Sequence, residues 1–206
     1  EGRILAIKGI GGFHLSCDAM NDKAVSRLRM TKRSSLAKAY QSNKPFAVMS
    51  PDATAIERYA GISEAEKRLL EERTRPIVLL RKKLPESLSA HVAPGSSDFG
   101  VMLPYTPLHH MLLHGSGFKA LVMTSGNRAD EPIVTSNSDA IERLSCMADF
   151  FLIHDRDIHM RVDDSIARVN NKRVSISRRA RGFVPGAIDL GEETDDILAV
   201  GPELKK

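Results

Sequence analysis

Residues Ala120–Asn127 read ALVMTSGN, an unbroken apolar run that ends in two hydroxyls, a glycine and an amide. A strand with one solvated face alternates apolar and polar positions. Ala120–Thr124 does not alternate, so it is expected inside a sheet covered on both faces. Ligand-binding loops of α/β sheets lie where strands end, which makes Thr124, Ser125 and Asn127 a candidate site. Two hydroxyls and an amide can hold phosphate oxygens, and Gly126 lets the backbone come close. An ordinary polar turn before the next helix would have the same composition.

Other strands and helices are expected on both sides of this run. Arg3–Lys8 reads as a first strand, followed by a glycine-rich bend at Gly9–Gly12. Ala24, Val25 and Leu28 keep helical spacing, and the polar stretch Arg29–Asn43 reads as a loop. Pro45–Ser50, Pro76–Leu80 and Phe99–Leu103 are apolar runs expected as strands. Two helices are expected between the first two of these runs, the second opened by the capping box Ser63–Glu66. Thr106–His114 reads as a helix beginning beside Pro107, and Asp139–Cys146 as another. Asp149–Ile153 leads into a strand, and Ile166–Val169 with Arg173–Ile176 reads as a hairpin around Asn170-Asn171. Strands and helices intermingle without strict alternation. The expected class is therefore α/β, with one twisted mixed sheet flanked by helices. The domain is expected over 1–188. The acidic stretch after Pro185 and the apolar run Ile197–Val200 then read as a linker and the start of a following domain over 189–206.

Composition narrows the function. Aromatics are 5% of the 206 residues and Trp is absent, which weakens any reading that needs a stacking platform for bases. The net charge of +4 suits a protein that handles phosphates, and equally a solvated surface. Cys17 and Cys146 stand far apart without a metal-ligand pattern, so a reducing cytoplasm is the default compartment. No segment approaches the roughly 20 consecutive apolar residues of a membrane helix. Glu1-Gly2-Arg3 has neither an initiator Met nor a signal-peptide pattern, so the chain reads as a piece of something longer.

Three further groups could do chemistry. Lys8-Gly9-Ile10-Gly11-Gly12 follows a strand, and a lysine beside exposed backbone N–H groups favours an anion. It is neither a Walker A loop nor a dinucleotide fingerprint, and a plain tight turn would look alike. Arg29, Lys32, Arg33, Lys38 and Lys44 form a cationic run without an interleaved carboxylate, which a triphosphate or solvent would relieve. Asp163, Asp164, Ser165 and Arg168, followed by Arg178 and Arg181, could bind phosphate through paired guanidinium donors, or Mg²⁺ through water. Surface ion pairing accounts for the same residues. His110 and His114 keep i, i+4 spacing beside His109, but without an H-E-x-x-H pattern or a third ligand no metal site is expected. His14 is singled out because it directly follows the glycine turn. Ser125 does not lie in a G-x-S-x-G elbow, so a hydrolase triad has no support.

Taken in order, KGIGGFHLSCDA (Lys8–Ala19), KPFAVM (Lys44–Met49), RPIVLL (Arg75–Leu80) and GVMLPYTPLHHMLL (Gly100–Leu113) resemble the YrdC-like domain of the HypF family of [NiFe]-hydrogenase maturation carbamoyltransferases. LVMTSGN (Leu121–Asn127), ADFFLIHDRDI (Ala148–Ile158), RVDDSIAR (Arg161–Arg168) and RRARGFVP (Arg178–Pro185) continue the resemblance, and ILAVGPELKK resembles the opening of the Kae1-like domain that follows in that family. The resemblance implies a YrdC-like fold with a concave, positively charged site. It also implies formation of carbamoyl-adenylate from ATP and carbamoyl phosphate, with Mg²⁺ as companion of the nucleotide. The carbamoyl group would then pass to the partner HypE, in the cytoplasm. Lys32, Arg33 and Lys44 would hold the leaving pyrophosphate, and Lys8 would lie near the carbamoyl end. Thr124, Ser125 and Asn127 would contact the nucleotide phosphates. Ser165, Arg178 and Arg181 would close the other side, with Asp164 and Arg168 beside them. The family pattern K-x-R is broken here, since Lys32 is followed by Arg33 and Ser34, so either Arg33 or Lys38 replaces the family arginine, or the loop has lost part of its grip on phosphate. Two rival functions are threonylcarbamoyl-adenylate synthesis, by the related YrdC/Sua5 proteins, and a basic RNA-binding module. A third possibility is a domain that only offers a docking surface to its neighbours.

Overall fold

The computed structural model describes residues 2–33, 43–85, 88–128 and 131–191, with 195, 197 and 198 beyond them. Among these residues a nine-stranded sheet runs in the order β7-β1-β2-β6-β3-β5-β4-β8-β9. Its strands are β1 (Leu5–Lys8), β2 (Phe13–Asp18), β3 (Ala47–Met49), β4 (Ile77–Arg81), β5 (Asp98–Met102), β6 (Leu121–Ser125), β7 (Phe150–Leu152), β8 (Ile166–Asn170) and β9 (Arg173–Arg178). Among the described residues five helices join them: α1 (Asp22–Arg33), α2 (Ala53–Ile56), α3 (Glu64–Glu71), α4 (Pro107–Leu113) and α5 (Asn137–Leu144). Three parallel pairs (β1·β7, β3·β5, β4·β8) are interspersed among antiparallel ones, as expected for a mixed sheet.

The decisive run behaves as its composition requires. Val122 joins the larger core cluster on one face of the sheet, while Leu121 and Met123 join a second cluster on the other. The first face carries α1, α3 and α5, through Val25, Leu28, Leu69, Leu70, Ala140 and Leu144. The second is covered by α4 through Leu108, Leu112 and Leu113. Ser63 caps α3 in a full capping box with Glu66, and Thr106 caps α4 with Pro107 in the first turn.

One expectation needs correction, and one strand has no counterpart among the expected elements. Phe13–Asp18 is a strand, β2, and a central one: it pairs β1 through Lys8↔Phe13 and β6 through His14↔Ser125. Its polar residues His14 and Ser16 interrupt a run that is buried on both faces, so it carries no continuous apolar signal. The loop expected from Arg29 onward begins later, because α1 continues to Arg33. Its polar residues lie on a helix whose apolar stripe, Ala24, Val25 and Leu28, precedes them. Lys38, and the side chain of Arg33, lie outside the described residues.

Between β7, at one edge of the sheet, and β8, near the other, residues 153–165 cross the molecule as a strap. The strap is tied down along its course. The His154 carbonyl accepts from Lys8 Nζ at 3.0 Å, Val162 N donates to Gly11 O at 3.0 Å, and Arg161 Nε donates to Ile133 O at 2.9 Å. Glycine is required at this crossing, because a Cβ on Gly11 would stand 2.5 Å from Val162 O.

Candidate functional site

The turn after β6 is built from its neighbours. Gly126 N donates to Phe13 O, and Gly126 O accepts from Val134 N, so the turn is clamped between β2 and the segment leading into α5. A Cβ at Gly126 would lie 2.9 Å from Phe13 O, which explains the glycine. Asn127, 6% exposed, donates from Nδ2 to Arg128 O (2.9 Å) and Glu131 O (2.7 Å). Its Oδ1 accepts from Ser125 Oγ at 2.6 Å. Helix α1 delivers Lys32 to this place. Its ammonium donates to the Ser125 carbonyl, to Asn127 Oδ1 at 2.9 Å and to Asn127 O at 3.2 Å. A positive charge is thus fixed in a turn whose polar atoms are already oriented. β3 runs antiparallel to β6, so Lys44, just ahead of β3, enters at the sheet end where β6 leaves. The Thr124 side chain is on the first face, since Thr124 pairs Leu15 and stands two residues along the strand from Val122, on the same side.

On the second face, beside Ser125, lies a buried polar cluster that sequence spacing could not foresee. His14 is opposite Ser125 in the β2·β6 ladder, and its Nε2 is 3.1 Å from Asp164 Oδ2. Arg181 Nε donates to Asp164 Oδ1 at 2.7 Å, and its terminal nitrogens donate to Thr74 O and Arg75 O. The Arg181 guanidinium carbon stands 3.5 Å from the centroid of the Tyr105 ring, which meets His109 edge-on at 4.5 Å. Burial alone would raise the Asp164 carboxyl, but the hydrogen bond and charge of His14, with those of Arg181, hold it well below the usual carboxylate range. Burial, then the neighbouring His14, pushes His109 down to about 3, so its imidazole is neutral. Burial likewise raises the Tyr105 phenol well above its usual value.

The sequence-predicted residues therefore fall into three groups. Lys32, Ser125 and Asn127 touch one another directly. Asp164, Ser165, Arg178 and Arg181 form a second unit: Ser165 Oγ donates to Arg181 O and accepts from Ala180 N, while Arg178 donates to Asp164 O. Arg181 is buried and spends its guanidinium on protein acceptors, so its direct effect is to hold Asp164 and the two segments together. Arg168 lies apart, four strands from β6 in the sheet order, paired with Asp98 at 2.9 Å. His14 had a signal, its place after the glycine turn. Tyr105 and His109 had none, because only the tertiary fold brings them to Asp164. Among the described residues no group of three or more His, Cys, Asp or Glu gathers as a metal cage, and both Asp164 oxygens are engaged. Both cysteines are free thiols, and burial raises Cys17 to about 12. No helix among the described residues is long and apolar enough to cross a membrane. An open cleft of about 360 Å³ lies at the opposite sheet end, around Pro51, His114 and Lys119.

Comparisons with known proteins place this geometry in a family. The model of the Sua5/YciO/YrdC family, described as telomere recombination, matches residues 1–180. The carbamoyltransferase HypF of Rhizobium leguminosarum bv. viciae is 45% identical over 210 residues, covering 99% of this chain and 27% of that protein. The chain thus spans about a quarter of the length of the curated relatives it matches. A crystal structure of full-length HypF in a phosphate- and nucleotide-bound form superposes with a TM-score of 0.81 at 47% identity, over 89% of this chain and 28% of that one. Sua5 from P. abyssi, crystallised with L-threonine, superposes at 0.72 and 17% identity over 87% of this chain and 51% of that one, a likeness of fold alone. The chain belongs to the Sua5/YciO/YrdC family and, within it, is related to the YrdC-like portion of the carbamoyltransferases HypF.

Proposed function

We propose that this chain binds ATP against the Ser125–Asn127 turn and forms carbamoyl-adenylate. The carbamoyl group would come from carbamoyl phosphate and pass onward to HypE for cyanide-ligand synthesis. The observation that carries the reading is the Lys32 ammonium fixed onto Ser125 and Asn127 at the end of β6. Atom balance sets the order of events. Water releases inorganic phosphate from carbamoyl phosphate, leaving carbamate. A carbamate oxygen then attacks the α-phosphorus of ATP, and the bond to the β-phosphate oxygen breaks to release pyrophosphate. Such a displacement needs positioning and charge stabilisation rather than a protein nucleophile. Lys32, Lys44 and Arg33 supply cations for the leaving pyrophosphate, Thr124, Ser125 and Asn127 meet the nucleotide phosphates, and Lys8 serves the carbamoyl end. Ser165 and Arg178 close the far side, with Arg181 and Asp164 positioning them. Mg²⁺ enters only as counter-ion of the triphosphate.

The test is pyrophosphate release with ATP and Mg²⁺, in the presence of carbamoyl phosphate or of L-threonine with bicarbonate. Release that depends on carbamoyl phosphate is expected. Release that depends on threonine and bicarbonate would replace this reading with threonylcarbamoyl-adenylate synthesis.

A further inference from the structure

The two ends of the Asn127 carboxamide are not interchangeable, and each has its own partners. Oδ1 accepts from Ser125 Oγ at 2.6 Å and from the Lys32 ammonium at 2.9 Å. Nδ2 donates to Arg128 O at 2.9 Å and to Glu131 O at 2.7 Å. Turned over, the amide would set its N–H donors against the ammonium, and Lys32 would lose an acceptor. The Glu131 carbonyl therefore helps to fix which end of Asn127 meets Lys32.

What fixes Glu131 comes from outside the turn. Its backbone N–H makes a long bond, 3.3 Å, to Arg128 O, and the next residue, Pro132, has no N–H to add. Its carboxylate accepts from Arg143, in the last turn of α5. Among the described residues this is the one polar tie of Glu131 to a neighbouring element. The chain is pinned again only further on, by Arg161 at Ile133 O and by Phe13 and Gly126 at Val134. Folding stability does not account for the pair. Its side chains are 31% and 38% exposed, and an ion pair so open to water adds little to stability.

We infer that Arg143 is a positioning residue for the nucleotide turn. Through the Glu131 carboxylate it holds the Glu131 carbonyl against Asn127 Nδ2. Asn127 Oδ1 and the Lys32 ammonium thereby keep the arrangement that receives the phosphates of ATP. This inference rests on the adenylation reading above.

Calorimetric titration of the chain with ATP and Mg²⁺ separates positioning from charge, on wild type, Arg143→Ala, Glu131→Ala, the double variant and Arg143→Lys. A pair acting only through its charges would give effects of opposite sign. Arg143→Ala would weaken ATP binding, Glu131→Ala would tighten it by removing a carboxylate, and the double variant would return to wild type. Positioning gives another pattern. Glu131→Ala keeps the carbonyl but releases it, so both single variants are expected to bind ATP about fivefold more weakly, the order of a lost hydrogen bond. The double variant should be no weaker than either single one, since both act through one contact. Arg143→Lys, which keeps the ammonium–carboxylate pair, should stay within about twofold of wild type. Melting temperatures should all lie within about 2 °C of wild type. Tighter binding by Glu131→Ala, or wild-type affinity in Arg143→Ala, overturns the inference, while ATP binding by wild type keeps the adenylation reading intact. Weaker binding accompanied by melting temperatures lowered by about 5 °C or more assigns the pair to the fold and also overturns it. A folded wild type that binds no ATP overturns both readings.

Discussion

His109 is fully buried, and neither ring nitrogen finds a partner among the described residues. Its neutral form is forced by its surroundings, with a folded-state value of about 3 against about 6.5 in an unfolded chain. Between those values the unfolded chain binds a proton that the native one does not. Stability from this residue is therefore present above about pH 6.5 and is lost as pH falls toward 3, by up to about 1.4 kcal/mol per pH unit. His109→Phe should flatten that slope between pH 6 and 4 in thermal melts, and should melt at or above wild type at pH 7.5, because an apolar ring replaces a buried polar one without partners. An unchanged slope would show that other groups set the acid limit. Asp164 works in the same direction at lower pH: its depressed carboxyl contributes stability above the unfolded carboxylate value near 4, lost as pH falls through its folded value. Neither effect could be read from the sequence. His109 depends on its tertiary burial beside His14, and Asp164 on meeting His14 and Arg181 across separations of 150 and 17 residues.

Among the elements, the β6 turn shapes the candidate site through its backbone. Gly126→Ala would drive a Cβ into Phe13 O at 2.9 Å and Phe13 Cβ at 2.8 Å, forcing β2 and β6 apart. A loss of more than about 2 kcal/mol in chemical denaturation is expected, as for other strained backbone sites. A loss below about 0.5 kcal/mol would mean that the turn yields freely. Ser63→Ala is a milder case, removing the capping box of α3 for about 1 kcal/mol. The capping box, the run Ala120–Thr124 and the hairpin at Asn170-Asn171 were legible because each is a local signal. In the hairpin, the positive φ of Asn171 and Lys172 turns the chain. β2 was not legible. A six-residue strand with buried His14 and Ser16 has no local signature, and its polar positions are explained only by the face they share with Ser125 and Asp164.

At the scale of the whole molecule, the strap 153–165 joins the two ends of the site. It is held at His154 by Lys8, at Val162 by Gly11, and at Asp164 by His14 and Arg181. Asp164→Asn would leave the buried Arg181 guanidinium without its counter-charge, at a cost of about 3–5 kcal/mol in unfolding free energy. A cost under about 1 kcal/mol would assign the strap's hold to its backbone bonds alone. The candidate site was legible to the extent that motifs mark it: Lys32, Ser125 and Asn127 were singled out separately, and the fold brings the three into contact. The assembly around Asp164 shows why the rest was not, since Arg181, expected at the nucleotide, spends its donors on Thr74, Arg75 and Asp164.

The central claim, a nucleotide site at the β6 turn, is tested most directly by calorimetric titration of the chain with ATP and Mg²⁺, wild type beside Asn127→Ala. The substitution removes the Oδ1 shared by Lys32 and Ser125 and the Nδ2 that bonds Arg128 O and Glu131 O. Saturable binding by wild type is predicted, with at least about tenfold weaker binding by the variant, since a hydrogen bond to a charged group contributes about 1.5–3 kcal/mol. Equal affinity of the two proteins, or no binding by a folded wild type, would contradict the account.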